Sequence, residues 1–277
     1  MIDIYSLIQK DNYLIPDKIL LGKNIYEYDI RQANINMLYS YNMISEKEYY
    51  ILSRIEKHQR EIYIGESIRK EQRASKDNKS AMDIMIKEGI KKSKVLLVQY
   101  NHIIPDKILR IARDAVYLVQ DYPLTTTRFS INNNEKSIEF VLKNIFTSFI
   151  NLNKTLIFLG VNSDGNFVVD VKGIDDQYVP LHQKFLGFIC DIVQSLEVAD
   201  KQTTLRIFNE FYEDYVNLRL PIDYYREFNA SSGFKIKGLD QYRLLALNNS
   251  QRYLDKIDIN YNLYLLRELY SIILSTN

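Results

Sequence analysis

The 277-residue sequence has no tryptophan, a single cysteine, five prolines and nine glycines, and each scarcity removes a class of explanation. One thiol cannot close an internal bridge, so the chain is not a disulfide scaffold. The apolar setting of Cys190 in "LGFICDIVQ" predicts a packed side chain in a reducing compartment. A charge excess is also missing. Lysine and arginine number 36 against 35 acidic residues, a net charge of +1, so nucleic-acid binding cannot be argued from total charge and would need a local basic groove. No apolar run approaches the roughly 18 residues of a membrane span, and Met1 is followed by Asp3 rather than a basic segment. The expectation is a cytoplasmic protein with no membrane partner. Walker loops and dinucleotide fingerprints are absent, and His58, His102 and His182 lack metal-ligand spacing.

What remains is a chain with 46% hydrophobic and 26% charged residues, long enough to bury a sizeable core in one large or two intimately joined domains. Its 22 tyrosines accompany abundant Ile, Asn and Lys, a bias expected of AT-rich coding, so the rings are not read as base-stacking platforms. The stretch "IYEYDIRQANINML", Ile25 to Leu38, begins with strand alternation and ends with helical spacing, and Asp29 sits at the changeover. Ser45 followed by Glu48 has capping-box form and predicts one long helix from about Glu46 to the polar stretch Ser75 to Ser80. Another helix is expected over Ala81 to Tyr100. "IPDKIL" occurs twice, at Ile15 and Ile104, as a repeated turn. The run "ILRIARDAVYLV", Ile108 to Val119, reads as one strand with Asp114 at its centre. Three further strands, "SIEFVLK", "TLIFLGV" and "NFVVDVKGI", precede helical patterns from Val179 onward. Turns are expected at Asn132 to Asn134 and at Asn162 to Gly165. Strand and helices, then a sheet, then a helical tail give an α+β class.

Asp29 and Asp114 both lie on apolar segments, where an unpaired carboxylate is costly. A divalent ion between them would compensate both charges, since Mg²⁺ takes oxygen ligands and keeps waters and substrate phosphates as the rest. The alternative is that each ends its strand in solvent or caps the next turn. Between them lies the segment Arg54 to Gly65, where Lys57 and Arg60 stand one helical turn apart. Such a pair could grip a triphosphate, and Gly65 one turn on would let a base pair approach the backbone. A solvated charged helix with a tolerated glycine is the other reading. "YYREFNASSGFKIKG", Tyr224 to Gly238, is a surface loop or a contact to a nucleic-acid backbone.

The order of these elements resembles motifs A, B and C of polymerase palm domains, most closely those of the family B DNA polymerases. Asp29 stands where motif A has its aspartate, and Lys57 to Gly65 has the motif B spacing from lysine to glycine. Glu61 and Ile64 replace the family's Asn and Tyr. "ARDAVY", Ala112 to Tyr117, aligns with motif C, with Asp114 as the second aspartate and Ala112 in place of the first. "LKNIF" at Leu142 and "VKGI" at Val171 fall where the family has two lysine elements on the primer side. The resemblance covers Tyr26 to Ile174. Set against that family, the expectation is a nearly absent fingers segment and no proofreading exonuclease domain before Asp29.

The resemblance implies a palm-like antiparallel sheet with helices on one face over residues 1–178, with reduced fingers at about 43–100, and a helical thumb-like region at 179–277. It further implies Asp29 and Asp114 as catalytic metal ligands for Mg²⁺ or Mn²⁺, and Lys57, Arg60 and Gly65 as nucleotide-binding residues. Lys143, Lys172 and Gly173 would be nucleic-acid-binding, the two lysines brought to one face by neighbouring antiparallel strands with a primer phosphate between them. The implied partners are primer-template DNA, nucleoside triphosphates and other replication proteins, in a phage or other mobile element. Two alternatives stay open. One is a palm-derived nucleic-acid-binding or assembly subunit without catalysis. The other is a two-metal nuclease using Asp29, Asp114 and Asp170.

Overall fold

A computed structural model describes residues 4–8, 13–131, 136–153, 155–162, 164–174, 183–217, 219–221, 224 and 259–276. The turn expected at Asn132 to Asn134, His182, and all of the Tyr224 to Gly238 stretch beyond Tyr224 lie outside these residues. The class is α+β, with the paired strands antiparallel. The chain divides into two compact units, one of residues 1–15 and 24–145, the other of residues 16–23 and 146–277.

In the first unit, β1 (Tyr13–Leu14) pairs with β4 (Ile108–Ile111), β4 with β5 (Ala115–Val119), and β5 with β3 (Ile25–Ile30). The start of β7 (Ser137–Leu152) lies on the other side of β3 and also pairs with β6 (Arg128–Ser130). Alternation decides which face of β3 is covered. Tyr26, Tyr28 and Ile30 join Val116, Leu118, Ile108 and Ile111 in a buried cluster. Against that cluster pack α1 (Ile4–Ile8), α2 (Ala33–Ser40), α3 (Glu46–Leu52), α4 (Lys57–Ala74) and α5 (Ala81–Tyr100). Helices α2 and α5 approach closely at Gly89, where an added Cβ would lie 2.6 Å from Met37 Sδ and 2.9 Å from Tyr41 Cε2.

The capping box at Ser45 is present, with Ser45 Oγ accepting from the Glu48 amide and Glu48 accepting from the Ser45 amide at 2.8 Å. The helix it opens is shorter than expected. It ends at Leu52, and Ser53 to Glu56 separate it from α4. The Ser53 hydroxyl turns back to the Tyr50 carbonyl at 3.0 Å, a local competitor for the helical ladder.

In the second unit, β2 (Ile19–Leu20) pairs with the end of β7, and β8 (Thr155–Asn162) forms a hairpin with β9 (Phe167–Lys172). Gly165 takes φ 81° in the connecting turn, in agreement with the turn expected there. Helices α6 (Gln183–Val198), α7 (Lys201–Val216) and α8 (Ile259–Ser275) supply much of its core, with Phe185, Ile189, Phe208, Tyr215 and Leu266 buried. Cys190 is buried there as a free thiol, and burial pushes it up to about 12. These three helices all fall in the stretch read as helical from 179 to 277. No helix among the described residues is long and apolar enough to cross a membrane.

Candidate functional site

The period of β3 that sends Tyr26, Tyr28 and Ile30 into the helical core puts Glu27 and Asp29 together on the opposite face. The strand ends one residue beyond Asp29. Gln32 then takes a left-handed φ of 47° as the N-cap of α2, and the Asn36 side chain donates back to the Arg31 carbonyl. The changeover read from sequence is therefore real, and it leaves Asp29 as the penultimate residue of the strand.

Asp114 differs from expectation. The apolar run Ile108 to Val119 is not one strand but the hairpin of β4 and β5, with Ala112 to Asp114 as its turn. The Ala112 amide donates to the Ala115 carbonyl at 2.9 Å, which closes the turn. The Ile30 amide donates to the Asp114 carbonyl at 3.1 Å, and Asp29 stands opposite Ala115 in the ladder. Two aspartates far apart in sequence are thus brought to adjacent ends of β3 and β5. Burial, and next the charge of Asp114, push the Asp29 carboxyl up from 3.8 to about 6; Lys143 and Lys57 oppose that rise, and Glu27 adds to it. Asp29 Oδ1 is buried and has no hydrogen-bond partner.

Beside the pair lies a carboxylate that the sequence reading did not single out. Glu27 is 2% exposed, accepts from the Tyr117 hydroxyl at 2.8 Å and accepts from the Asn144 side-chain amide. Period-2 alternation in "IYEYDI" was the available signal, since it places Glu27 on the face of Asp29. Lys143 sits 3.9 Å from Glu27 Oε1 and 4.0 Å from Asp29 Oδ2 with half its side chain in solvent. Lys143 is thus a counter-charge of the acidic cluster.

Lys172 lies in the second unit and pairs with Asp170 at 2.9 Å, two residues away on the same strand. The expectation that Lys143 and Lys172 ride on neighbouring strands does not hold, because β8 lies between β7 and β9. The sequence offered three strand-like segments without their lateral order. Gly173 follows β9 with φ 94°, a left-handed conformation that itself accounts for a glycine.

On α4, Lys57 occupies the first helical position and is exposed, and its charge acts on Asp29. A lysine at a helix N-terminus adds to the positive pole of the helix, and together they favour an anion. Arg60 behaves differently. It is 7% exposed, with Nε 4.0 Å from Glu61, and shares the buried stripe of α4 with Ile64. Glu61 also accepts from the Asn34 side chain, which ties α4 to α2. Gly65 is half-buried, and a Cβ there would meet only Arg69 at 3.8 Å, so the protein's own packing does not require a glycine.

Among the described residues no group of three or more His, Cys, Asp or Glu side chains is arranged to hold a metal. The pair Asp29 and Asp114, with the unpartnered Asp29 Oδ1, fits an oxygen-bound divalent ion of the Mg²⁺ or Mn²⁺ kind, which commonly takes one or two protein carboxylates.

The fold and site define an α+β protein with a convergent acidic pair at the end of a sheet. The chain belongs to the family described as the Bacteriophage PBS1 gene 130 protein, whose sequence pattern matches residues 3–275. No curated protein sequence matches it. Among solved structures it is similar to the family B DNA polymerase from the hyperthermophilic archaeon Pyrobaculum calidifontis, at 10% identity and a TM-score of 0.39. That similarity covers 95% of this chain and 47% of the polymerase, so the chain spans about half the length of the structure it matches.

Proposed function

We propose that this chain is a compact, palm-like nucleotidyltransferase that extends a DNA primer with a divalent cation held by Asp29 and Asp114. The observation that carries the reading is the placement of those two aspartates at adjacent ends of β3 and β5, where the charge of Asp114 acts on Asp29 and one Asp29 oxygen is buried and unpartnered. The order of Asp29, the Lys57 helix and Asp114 along the chain supports it. In this reading residues 1–178 are the palm-like domain with reduced fingers, and residues 179–277 the thumb-like region.

When bound, the ion neutralises phosphate charge and polarises the reacting oxygens. The chain's own residues do the positioning. Asp29 and Asp114 fix the cation at the ends of β3 and β5. Lys57, at the N-terminus of α4, meets the nucleoside triphosphate's phosphates as a point charge. Glu27 and Asp29 hold Lys143 at the edge of the site, where its exposed ammonium meets the primer backbone.

The test is primer extension on primer-template DNA with Mg²⁺ or Mn²⁺, comparing wild type with Asp29→Asn and Asp114→Asn. Extension by wild type and loss in both variants is the expected result. Activity retained in either variant overturns the assignment. A second reading, a palm-derived DNA-binding subunit without catalysis, is favoured by Ala112 standing where the resemblance would place a further aspartate. It predicts salt-sensitive DNA binding with no extension under any metal.

A further inference from the structure

The hairpin turn that carries Asp114 has two carbonyls that its strands do not use. The Ala112 amide and the Asp114 carbonyl are taken by Ala115 and Ile30, as described, but the Ala112 and Arg113 carbonyls go elsewhere. Both accept hydrogen bonds from Lys94 Nζ, each at 3.2 Å. Lys94 comes from the middle of α5 and is 0% exposed, on the same buried stripe as Ile90, Leu97 and Val98. A fully buried ammonium is expensive to desolvate, and the two turn carbonyls supply part of the compensation it needs.

We infer that Lys94 is a positioning residue for the cation site: by holding the carbonyls of Ala112 and Arg113, it fixes the peptide planes that aim the Asp114 carboxylate at Asp29. The inference rests on the divalent-ion reading of the Asp29 and Asp114 pair. Its physical basis is the shortness of the turn. Only three residues separate β4 from β5, so releasing two successive carbonyls lets their peptide planes rotate toward water. That rotation changes the direction in which the next side chain, Asp114, leaves the backbone. Two carboxylates on separate elements bind one ion well only if both directions are held. Side chains that orient metal ligands in this way typically contribute a factor of about 10 to 100 in metal affinity.

The experiment measures two quantities on the full chain: Mn²⁺ binding by calorimetry, and metal-free amide exchange at Ala112, whose N–H closes the turn. Lys94→Met removes the charge and its donors while keeping side-chain length. It is expected to fold, to bind Mn²⁺ about 10- to 100-fold more weakly, and to exchange the Ala112 amide faster. Lys94→Gln retains a donor without the charge, should fall between Met and wild type, and carries the test alone if Lys94→Met does not fold. Lys92→Met, on the exposed side of the same helix, should change neither quantity. Unaltered Mn²⁺ affinity in a folded Lys94 variant, or unaltered exchange at Ala112, overturns the inference. Asp114→Asn separates it from the underlying reading. If wild type and Asp114→Asn bind Mn²⁺ equally or not at all, the ion assignment itself falls, and this inference falls with it.

Discussion

Asp29→Asn should make the metal-free protein more stable near neutral pH, although it removes a residue assigned to the reaction. Burial and the neighbouring Asp114 charge raise the Asp29 carboxyl to about 6. A rise of about two units corresponds to about 3 kcal/mol of penalty on the ionised form. A third of the side chain reaches solvent, which screens part of that, so about 1–2 kcal/mol remains. The substitution does not strand Lys143, because Glu27 stays 3.9 Å from it. The sign follows from linkage. Because the native carboxyl binds its proton more tightly than the unfolded one, the penalty is full above pH 6. It shrinks as the native state takes up the proton below that, and is gone below about 3.8. In chelator at pH 7.5, the variant should therefore melt higher by roughly 2–8 °C, and near pH 3.5 the two proteins should coincide. Saturating Mn²⁺ should reverse the order, since an ion at 100 times its Kd adds about 2.7 kcal/mol to the wild type alone. Thermal melts at the two pH values, with chelator and with Mn²⁺, make the measurement. A variant no more stable than wild type at pH 7.5, or equally shifted at both pH values, would refute the reasoning.

Two glycines should respond oppositely to alanine. Gly89→Ala drives a methyl into Met37 and Tyr41, and overpacking of about 1–3 kcal/mol should outweigh the roughly 1 kcal/mol gained in helix propensity. Gly65→Ala meets no obstruction and should stabilise by up to about 1 kcal/mol, yet slow nucleotide incorporation if a base pair approaches that backbone. Chemical denaturation of both variants, with single-nucleotide incorporation for Gly65→Ala, checks the pair. Lys143→Ala with Lys172→Ala should flatten the salt dependence of DNA binding by about 1.5–2 in log-log slope if each meets a phosphate. A slope equal to wild type would leave both lysines as partners of their own carboxylates alone.

The sequence announced some of these features and concealed others for identifiable reasons. Ser45 and Glu48 carried their capping box openly, because both partners of a cap lie within four residues. Asp29 was legible because strand and helix periods meet there. The turn at Asp114 was hidden because β4 and β5 are both apolar and join without a glycine or proline, so periodicity runs through the break. Arg60 read as a phosphate ligand because its spacing from Lys57 is right. Burial turns it inward with Ile64, and a spacing argument cannot tell which stripe of a helix faces the core. Lys94 was lost among Lys91 and Lys92, although its four-residue step from Ile90 to Val98 placed a cation on the apolar stripe. Glu27 had the same kind of signal and needed only the rule that alternate strand residues share a face.

The membership of β2 has a consequence for synthesis. Ile19 and Leu20 emerge early, yet their partners Ile150 and Phe149 come roughly 130 residues later. The segment 16–23 belongs to the second unit although residues on both sides of it belong to the first. A ribosome therefore delivers every residue of the acidic cluster, through Asn144, before β2 has anything to pair with. Until the far end of β7 is made, that short strand lacks the partner it has in the folded chain, and a chain stopped at residue 145 would hold Glu27, Asp29, Asp114 and Lys143 without the residues that pair with Ile19 and Leu20.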